Sequence, residues 1–312
     1  MGNHHPAVGT ALVTHPACLA HETPAGHPES AARLRAVLDA LSGDEFHGLK
    51  RVKAPRASLD MLARFHDKEY VRALLDCLPT SGLAMIDSDT GVSPGSGEAA
   101  LRAAGASAHA VDLVMSGEVR NAFCAVRPPG HHAAPARAMG FCLFNNVGVA
   151  ATHAHATFGL ENIAILDFDV HHGNGTEACF SANEAYFYGS THQSPLFPGT
   201  GREDAGPQTH NQPLEPGSGS VEFRAAFGRI LEELSQFHPD FIFISAGFDA
   251  HRDDHMAQLK LEDDDYAWAT EAVCRIADES CEGRVVSTLE GGYDLPSLAR
   301  SARAHVQALM GA

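Results

Sequence analysis

The sequence lacks paired cysteines, long apolar runs and an ample supply of basic residues. Its seven cysteines (18, 77, 124, 142, 179, 274 and 281) are odd in number, scattered and never spaced C-x-x-C. That pattern argues against a disulfide framework and a cysteine zinc site, and for a reducing compartment. No apolar run approaches the ~20 residues that a bilayer crossing needs. The opening MGNHHPAVGT has neither a basic nor an apolar leader region, and Pro6 stands where a myristoylation pattern wants Ser or Thr. A cytoplasmic protein is expected. Lys and Arg total 22 against 39 Asp and Glu, a formal charge of −17. A field of that sign repels phosphate backbones and anionic lipid, which excludes nucleic acid and membrane surfaces and suits amines or basic peptides. Repeats and low-complexity segments are also absent.

What is present is an ordinary globular composition, 44% hydrophobic and 20% charged, over 312 residues. That length supports a full core without staples. Short β-branched runs at 8–14, 121–126, 162–167, 185–189, 240–245 and 284–289 predict strands. Amphipathic stretches at 29–41, 58–66, 67–78, 96–116, 145–157, 174–181, 219–236, 262–278 and 294–310 predict helices, with capping signals at Ser30, Ser96, Asn174 and Ser220. Strands apolar on both faces that alternate with helices imply a doubly wound, mostly parallel sheet flanked by helices. A single α/β domain spanning 1–312 is expected, with homo-oligomerisation left open.

The unusual residues fall where four strands end. The runs RPPGHH (127–132), DFDVHHGNGT (167–176), SAGFDAHRDD (245–254) and LEGGYD (289–294) each follow a predicted strand. In an open α/β sheet the ligand crevice lies beyond the carboxyl ends of the strands, so four polar clusters there converge on one site. Asp169 and His171 straddle Val170, and in extended backbone such i, i+2 side chains point the same way. Asp249 can close a three-ligand set. Two carboxylates and an imidazole suit Zn²⁺ with an open position, and Fe²⁺ or Mn²⁺ by ligand type. His131 and His132 are placed to accept and donate protons, with Asp167 and Asn174 available to fix their tautomers. Tyr293, after the flexible Gly291-Gly292 pair, can aim its hydroxyl at a developing oxyanion. The constellation reads as metal-assisted amide hydrolysis.

On the strings RPPGHHA (127–133), GFCLFNNVGVAA (140–151), DFDVHHGNGT, FPGTG (197–201), SAGFDAH (245–251) and LEGGYD, with HETPAGHPES…RLRAV at 21–37, the sequence resembles the zinc-dependent histone deacetylase family. It is most similar to the class II-like bacterial deacetylases and acetylpolyamine amidohydrolases of that superfamily. The resemblance implies the arginase/deacetylase fold, with Asp169, His171 and Asp249 as zinc ligands. It makes His131 and His132 the tandem histidines, the second being general base and acid, and Tyr293 the carbonyl-polarising tyrosine. Phe141, after Gly140, and Phe197 match the aromatic walls around the substrate's methylene chain. A structural K⁺ would use Asp167, Asp169, His171 and Ser190. Met256 stands where polyamine-selecting relatives carry a glutamate, the 22–26 loop is short, and Asp89 matches a rim position that hydrogen-bonds substrate. Asn174 departs from the class I aspartate but is similar to class II usage.

Removal of acyl groups, acetyl most simply, from the ε-amine of lysine in proteins or peptides is therefore the leading expectation. A deacetylase of small acylated amines, including acetylpolyamines, is the alternative, and a catalytically silent metal-binding acyl-lysine reader is a third. An arginase-like two-metal site would need bridging aspartates that the sequence does not supply. The pair His4-His5 and the EDDD run at 262–265 read as solvated surface, and Cys142 as an inert buried thiol.

Overall fold

A computed structural model describes residues 9–312. Met1–Val8, including the His4-His5 pair and the first residue of the strand expected at 8–14, lie outside the described residues. The strands are β1 (Thr10–Thr14), β2 (Lys50–Lys53), β3 (Ala84–Met85), β4 (Gly91–Val92), β5 (Asn121–Cys124), β6 (Ile163–Asp167), β7 (Tyr186–Gln193), β8 (Thr209–Leu214), β9 (Phe241–Ala246) and β10 (Val285–Leu289). The helices are α1 (Ala31–Ala40), α2 (Leu59–Leu62), α3 (Lys68–Asp76), α4 (Ser96–Met115), α5 (Asn146–Phe158), α6 (Asn174–Phe180), α7 (Ser220–Phe237), α8 (Asp263–Ser280) and α9 (Leu295–Gly311).

Eight strands form one sheet in the order β2-β1-β5-β10-β9-β6-β7-β8. Every pairing in it is parallel. The expected α/β fold is found, with the sheet more uniformly parallel than the sequence implied. Helices α1, α9, α8 and α7 pack in succession as one group, and α4 with α5 as another. The four central strands β5, β10, β9 and β6 are buried at every position. These are the strands whose carboxyl ends carry the four polar runs, so the topology brings all four loops side by side.

Two edge strands escaped the sequence pattern, for one reason. The edge strand β2 reads KRVK and is largely exposed, while β8 reads THNQPL. An edge strand in solvent gains from charge and polarity, which erases the apolar signature. The helix expected at 58–66 stops at Leu62 because Phe65 and His66 turn to pack on Phe180 and Phe144. Three capping assignments shift by one residue: Gly95, Gly173 and Gly219 are the N-caps, and Ser96, Asn174 and Ser220 open the helices. The EDDD run is not wholly solvated. Asp265 is fully buried, accepting from Arg224 at 2.7 Å and from Ser220 at 2.6 Å.

His305 on α9 sits in the core with its two ring nitrogens 2.7 Å from Ser287 and 2.6 Å from Thr270. Burial pulls its pKa down to about 3. The unfolded chain, titrating near the ordinary 6.5, therefore binds the proton first. The stability this neutral histidine supplies is complete above about pH 6.5 and is lost as pH falls toward 3, at about 1.4 kcal/mol per pH unit. Denaturant titrations from about pH 6 to about pH 4 should show a shallower loss in His305→Gln than in the wild type. Equal slopes would contradict a neutral buried imidazole.

Candidate active site

The loop after β6 turns sharply so that Asp169 and His171 face the loop after β9. There His171 Nδ1 lies 3.0 Å from Asp169 Oδ1 and 3.2 Å from Asp249 Oδ2. One ligand atom from each of the three residues lies within 4.8 Å of the others, and all three residues are buried. Backbone amides orient the carboxylates: His171 N and Gly291 N donate to the two oxygens of Asp169, and Val170 N donates to Asp249 Oδ1. Asp249 Oδ2, despite its closeness to His171, has no hydrogen bond within the protein. A buried carboxylate oxygen without a partner is costly unless something positive meets it. Two buried carboxylates and one imidazole around a common point fit a dication, and among the described residues this is the one such cluster. Its own electrostatics agree. Burial and the neighbouring Asp169 carboxylate push Asp249 up to about 6. Against a burial penalty, the Asp169 and Asp249 carboxylates beside it raise His171 to about 10.

Close approach explains the glycines around the cluster. A Cβ on Gly247 would sit 2.0 Å from an Asp169 oxygen, and one on Gly291 would sit 2.2 Å from an Asp249 oxygen. No side chain fits there without displacing the candidate ligands.

The tandem histidines follow β5. His131 Nδ1 lies 2.9 Å from Asp167 Oδ2, and His132 Nδ1 lies 2.8 Å from Asn174 Oδ1. Asn174 also donates to Met139 Sδ, which fixes its amide so that the oxygen faces His132. Burial opposes a charge on His131, yet Asp167 and Asp169 raise it to about 10. Burial and the neighbouring His131 hold His132 well below the usual histidine range. The two imidazoles are thus pushed in opposite directions, and the lowered one, His132, suits a proton acceptor.

Asp89, Pro129, His131, His132, Gly140, Phe141, His171, Phe197, Met256, Gly291 and Tyr293 line a cavity of about 190 Å³ that reaches the cluster. All five proposed channel residues are therefore brought together. The Phe197 ring stands at 85° to His132 with centroids 5.1 Å apart, and Phe141 lies 6.0 Å from the Tyr293 ring. Phe141 has a φ of 68°, a left-handed conformation that costs a bulky residue energy and is characteristic of functional sites. Asp89 lies at the rim, where its carboxylate accepts from Thr90. Ser190 pairs in register with Asp167, and its hydroxyl lies 2.9 Å from His192 Nδ1. Cys142 is buried and burial raises its thiol, as expected of an inert one.

Several supporting residues were missed. Glu290 is fully buried and accepts from the backbone of Gly130 and His131, so it fixes the start of the tandem-histidine turn. Glu29 bridges Arg127 and Arg33, and Arg33 donates to the carbonyls of Gly292 and Glu290. A charged residue directly after the strand expected at 284–289 was the available signal for Glu290. Asp254, whose carboxylate meets the backbone of Tyr293, had none, because it sits in a polar run that reads as exposed loop.

The comparisons with known proteins agree with this geometry. A model of the histone deacetylase domain matches residues 27–309. The chain is 41% identical to the chloroplastic histone deacetylase 14 of Arabidopsis thaliana, over 91% of this chain and 73% of that protein. It is 38% identical to a probable deacetylase of Archaeoglobus fulgidus, over 92% and 82% of the two chains. It is also 38% identical to the histone deacetylase-like amidohydrolase of Pseudomonas aeruginosa, over 86% and 73%. The crystal structure of the HDA15 HD domain superposes with a TM-score of 0.90 at 35% identity, covering 98% of this chain and 89% of that one. The chain belongs to the histone deacetylase family. It is a deacetylase, a hydrolase of a family that depends on a metal. Among the described residues no helix is long and apolar enough to cross a membrane.

Proposed function

We propose that this deacetylase removes acyl groups, acetyl first, from the ε-amine of lysine in peptides or proteins, with Zn²⁺ held by Asp169, His171 and Asp249. The observation that carries this reading is the shape and lining of the slot. At about 190 Å³ it is smaller than the roughly 300 Å³ at which pockets for drug-sized ligands begin. Phe141, Phe197 and Met256 give it apolar walls suited to an unbranched methylene chain, with Asp89 as its carboxylate at the rim. The wall formed by Met256 offers a second ammonium, as in a polyamine, no carboxylate at that position. Fe²⁺ suits the same donor set. A structural K⁺ at Asp167, Asp169, His171 and Ser190 rests on the family resemblance. The seven unpaired cysteines support a reducing, cytoplasmic setting.

When bound, the ion supplies Lewis-acid polarisation of the amide carbonyl and acidifies water. The chain's own groups do the rest. His132, neutral and oriented through Nδ1 by Asn174, presents Nε2 to take the proton of the attacking water and to return it to the leaving amine. His131, hydrogen-bonded through Nδ1 to Asp167, packs against His132 and limits how its ring can turn. Tyr293 offers its phenol hydrogen to the developing oxyanion. The phenol's own acidity is suppressed by burial, so it stays protonated and able to donate.

The test is kcat/KM of zinc-loaded protein on an ε-acetyl-lysine peptide and on acetylputrescine, with a chelator-stripped control. The peptide is expected to win by about tenfold or more, equal to ~1.4 kcal/mol of differential transition-state binding. A preference for acetylputrescine would transfer the assignment to small acylated amines. No turnover of either would point to a longer acyl group as the substrate, or to a metal other than zinc.

A further inference from the structure

Tyr293 follows Gly291 and Gly292, and the first of these is forced by the carboxylates beside it while the second has a φ of 118°. Two successive glycines give a backbone with little stiffness of its own, yet an oxyanion donor must be held to within about 0.5 Å. The peptide unit joining Gly292 to Tyr293 is gripped at both ends. Its carbonyl accepts from Arg33 Nε at 2.5 Å, and its N–H donates to Asp254 Oδ2 at 2.6 Å. The same Asp254 oxygen accepts from Asp294 N at 3.0 Å, while Asp254 Oδ1 accepts from Met256 N at 2.9 Å. Asp254 is buried, at 5% exposure. It is not a helix cap, because Asp294 is the N-cap of α9 and its own carboxylate takes Ser297 N. The Asp254 carboxylate is instead committed to the loop, with charge-assisted bonds of the stronger kind. Both residues that it fixes, Tyr293 and Met256, line the slot.

We propose that Asp254 is a positioning residue of the deacetylation reaction, setting Tyr293 through one carboxylate oxygen and Met256 through the other, and thereby coupling turnover to substrate selection. This inference rests on the role given above to Tyr293. Asp254→Ala releases all three backbone N–H groups, and kcat on the ε-acetyl-lysine peptide falls about 10- to 100-fold, the scale of losing a group that orients a catalytic one. Asp254→Asn keeps an acceptor oxygen for Tyr293 and Asp294 but turns an amide NH₂ toward the Met256 N–H. It therefore keeps most of kcat, raises KM and shifts the ratio of peptide to acetylputrescine turnover. That split is one a merely structural carboxylate would not produce.

The decisive experiment is a double-mutant cycle of Asp254→Ala with Tyr293→Phe, read as kcat on the peptide, with thermal unfolding of each variant alongside. The expected result is that the pair loses no more than Tyr293→Phe alone. If the losses multiply to within about twofold, the two residues act independently and the proposal falls. Full turnover in folded Asp254→Ala also overturns it. Full turnover in Tyr293→Phe removes the reading of Tyr293 itself, a separate failure. Should Asp254→Ala fail to fold, Asp254→Asn is read instead as kcat and KM on both substrates, and an equal loss of kcat on both with unchanged KM overturns the proposal.

Discussion

Asp249→Ala is expected to fold, to lose stoichiometric zinc on dialysis, and to lose deacetylase activity by about 10² to 10⁴. The magnitude follows from the several kcal/mol of transition-state stabilisation that a Lewis acid supplies, at about 1.36 kcal/mol per decade of rate. The folding half of the expectation has its own reason. Asp249 Oδ2 has no hydrogen-bond partner in the protein, and burial with the neighbouring Asp169 pushes the carboxyl up to about 6, so the group carries a cost in the absence of a cation. Removing it deletes a buried like-charge neighbour of Asp169, and the amide of Val170 is the one backbone donor left unmet. Zinc content by elemental analysis, read beside a thermal unfolding curve, checks both halves. A variant that keeps one zinc per chain would contradict the ligand assignment.

His132→Ala is expected to keep its metal and to lose turnover by at least ~10², the scale of a missing general acid–base group. His132 contacts none of the candidate ligands by hydrogen bond: its Nδ1 is bound to Asn174, and its ring packs on Phe197 and His131. The loss should therefore appear in kcat, with zinc stoichiometry unchanged. Near-normal single-turnover rates in the zinc-loaded variant would remove the role. His131 is a different case despite its adjacency. Its Nδ1 faces a buried carboxylate and its Nε2 lies 3.8 Å from Asp169, so it is bound up with the charge of the cluster.

Much of the site was legible because its chemistry is local. Asp169 and His171 lie two residues apart, His131 and His132 are adjacent, and each run directly follows an expected strand. Asp249 and Tyr293 could be added because a parallel sheet delivers its strand ends to one edge. The supporting shell was not legible in the same way. Glu29 reaches Arg127, 98 positions away, and Asp254 reaches Tyr293, 39 positions away. Nothing in the local pattern around either carboxylate separates it from a solvated one. Strands β2 and β8 were hidden for the reason common to sheet edges, that polarity is favourable there.

The sequence by itself determined the α/β class, the four strands whose ends carry the polar runs, the candidate metal-ligand set and the pair of histidines. Hydrophobic periodicity and residue type act over a few positions, and those features are written at that range. Only the tertiary structure decided the strand order that places β5, β10, β9 and β6 side by side. It alone decided which partner each imidazole meets through space, Asp167 for His131 and Asn174 for His132. It alone showed that the Gly292–Tyr293 peptide is held by Arg33 at one end and Asp254 at the other. Long-range hydrogen bonds between buried groups form where packing excludes water, and packing belongs to the fold as a whole.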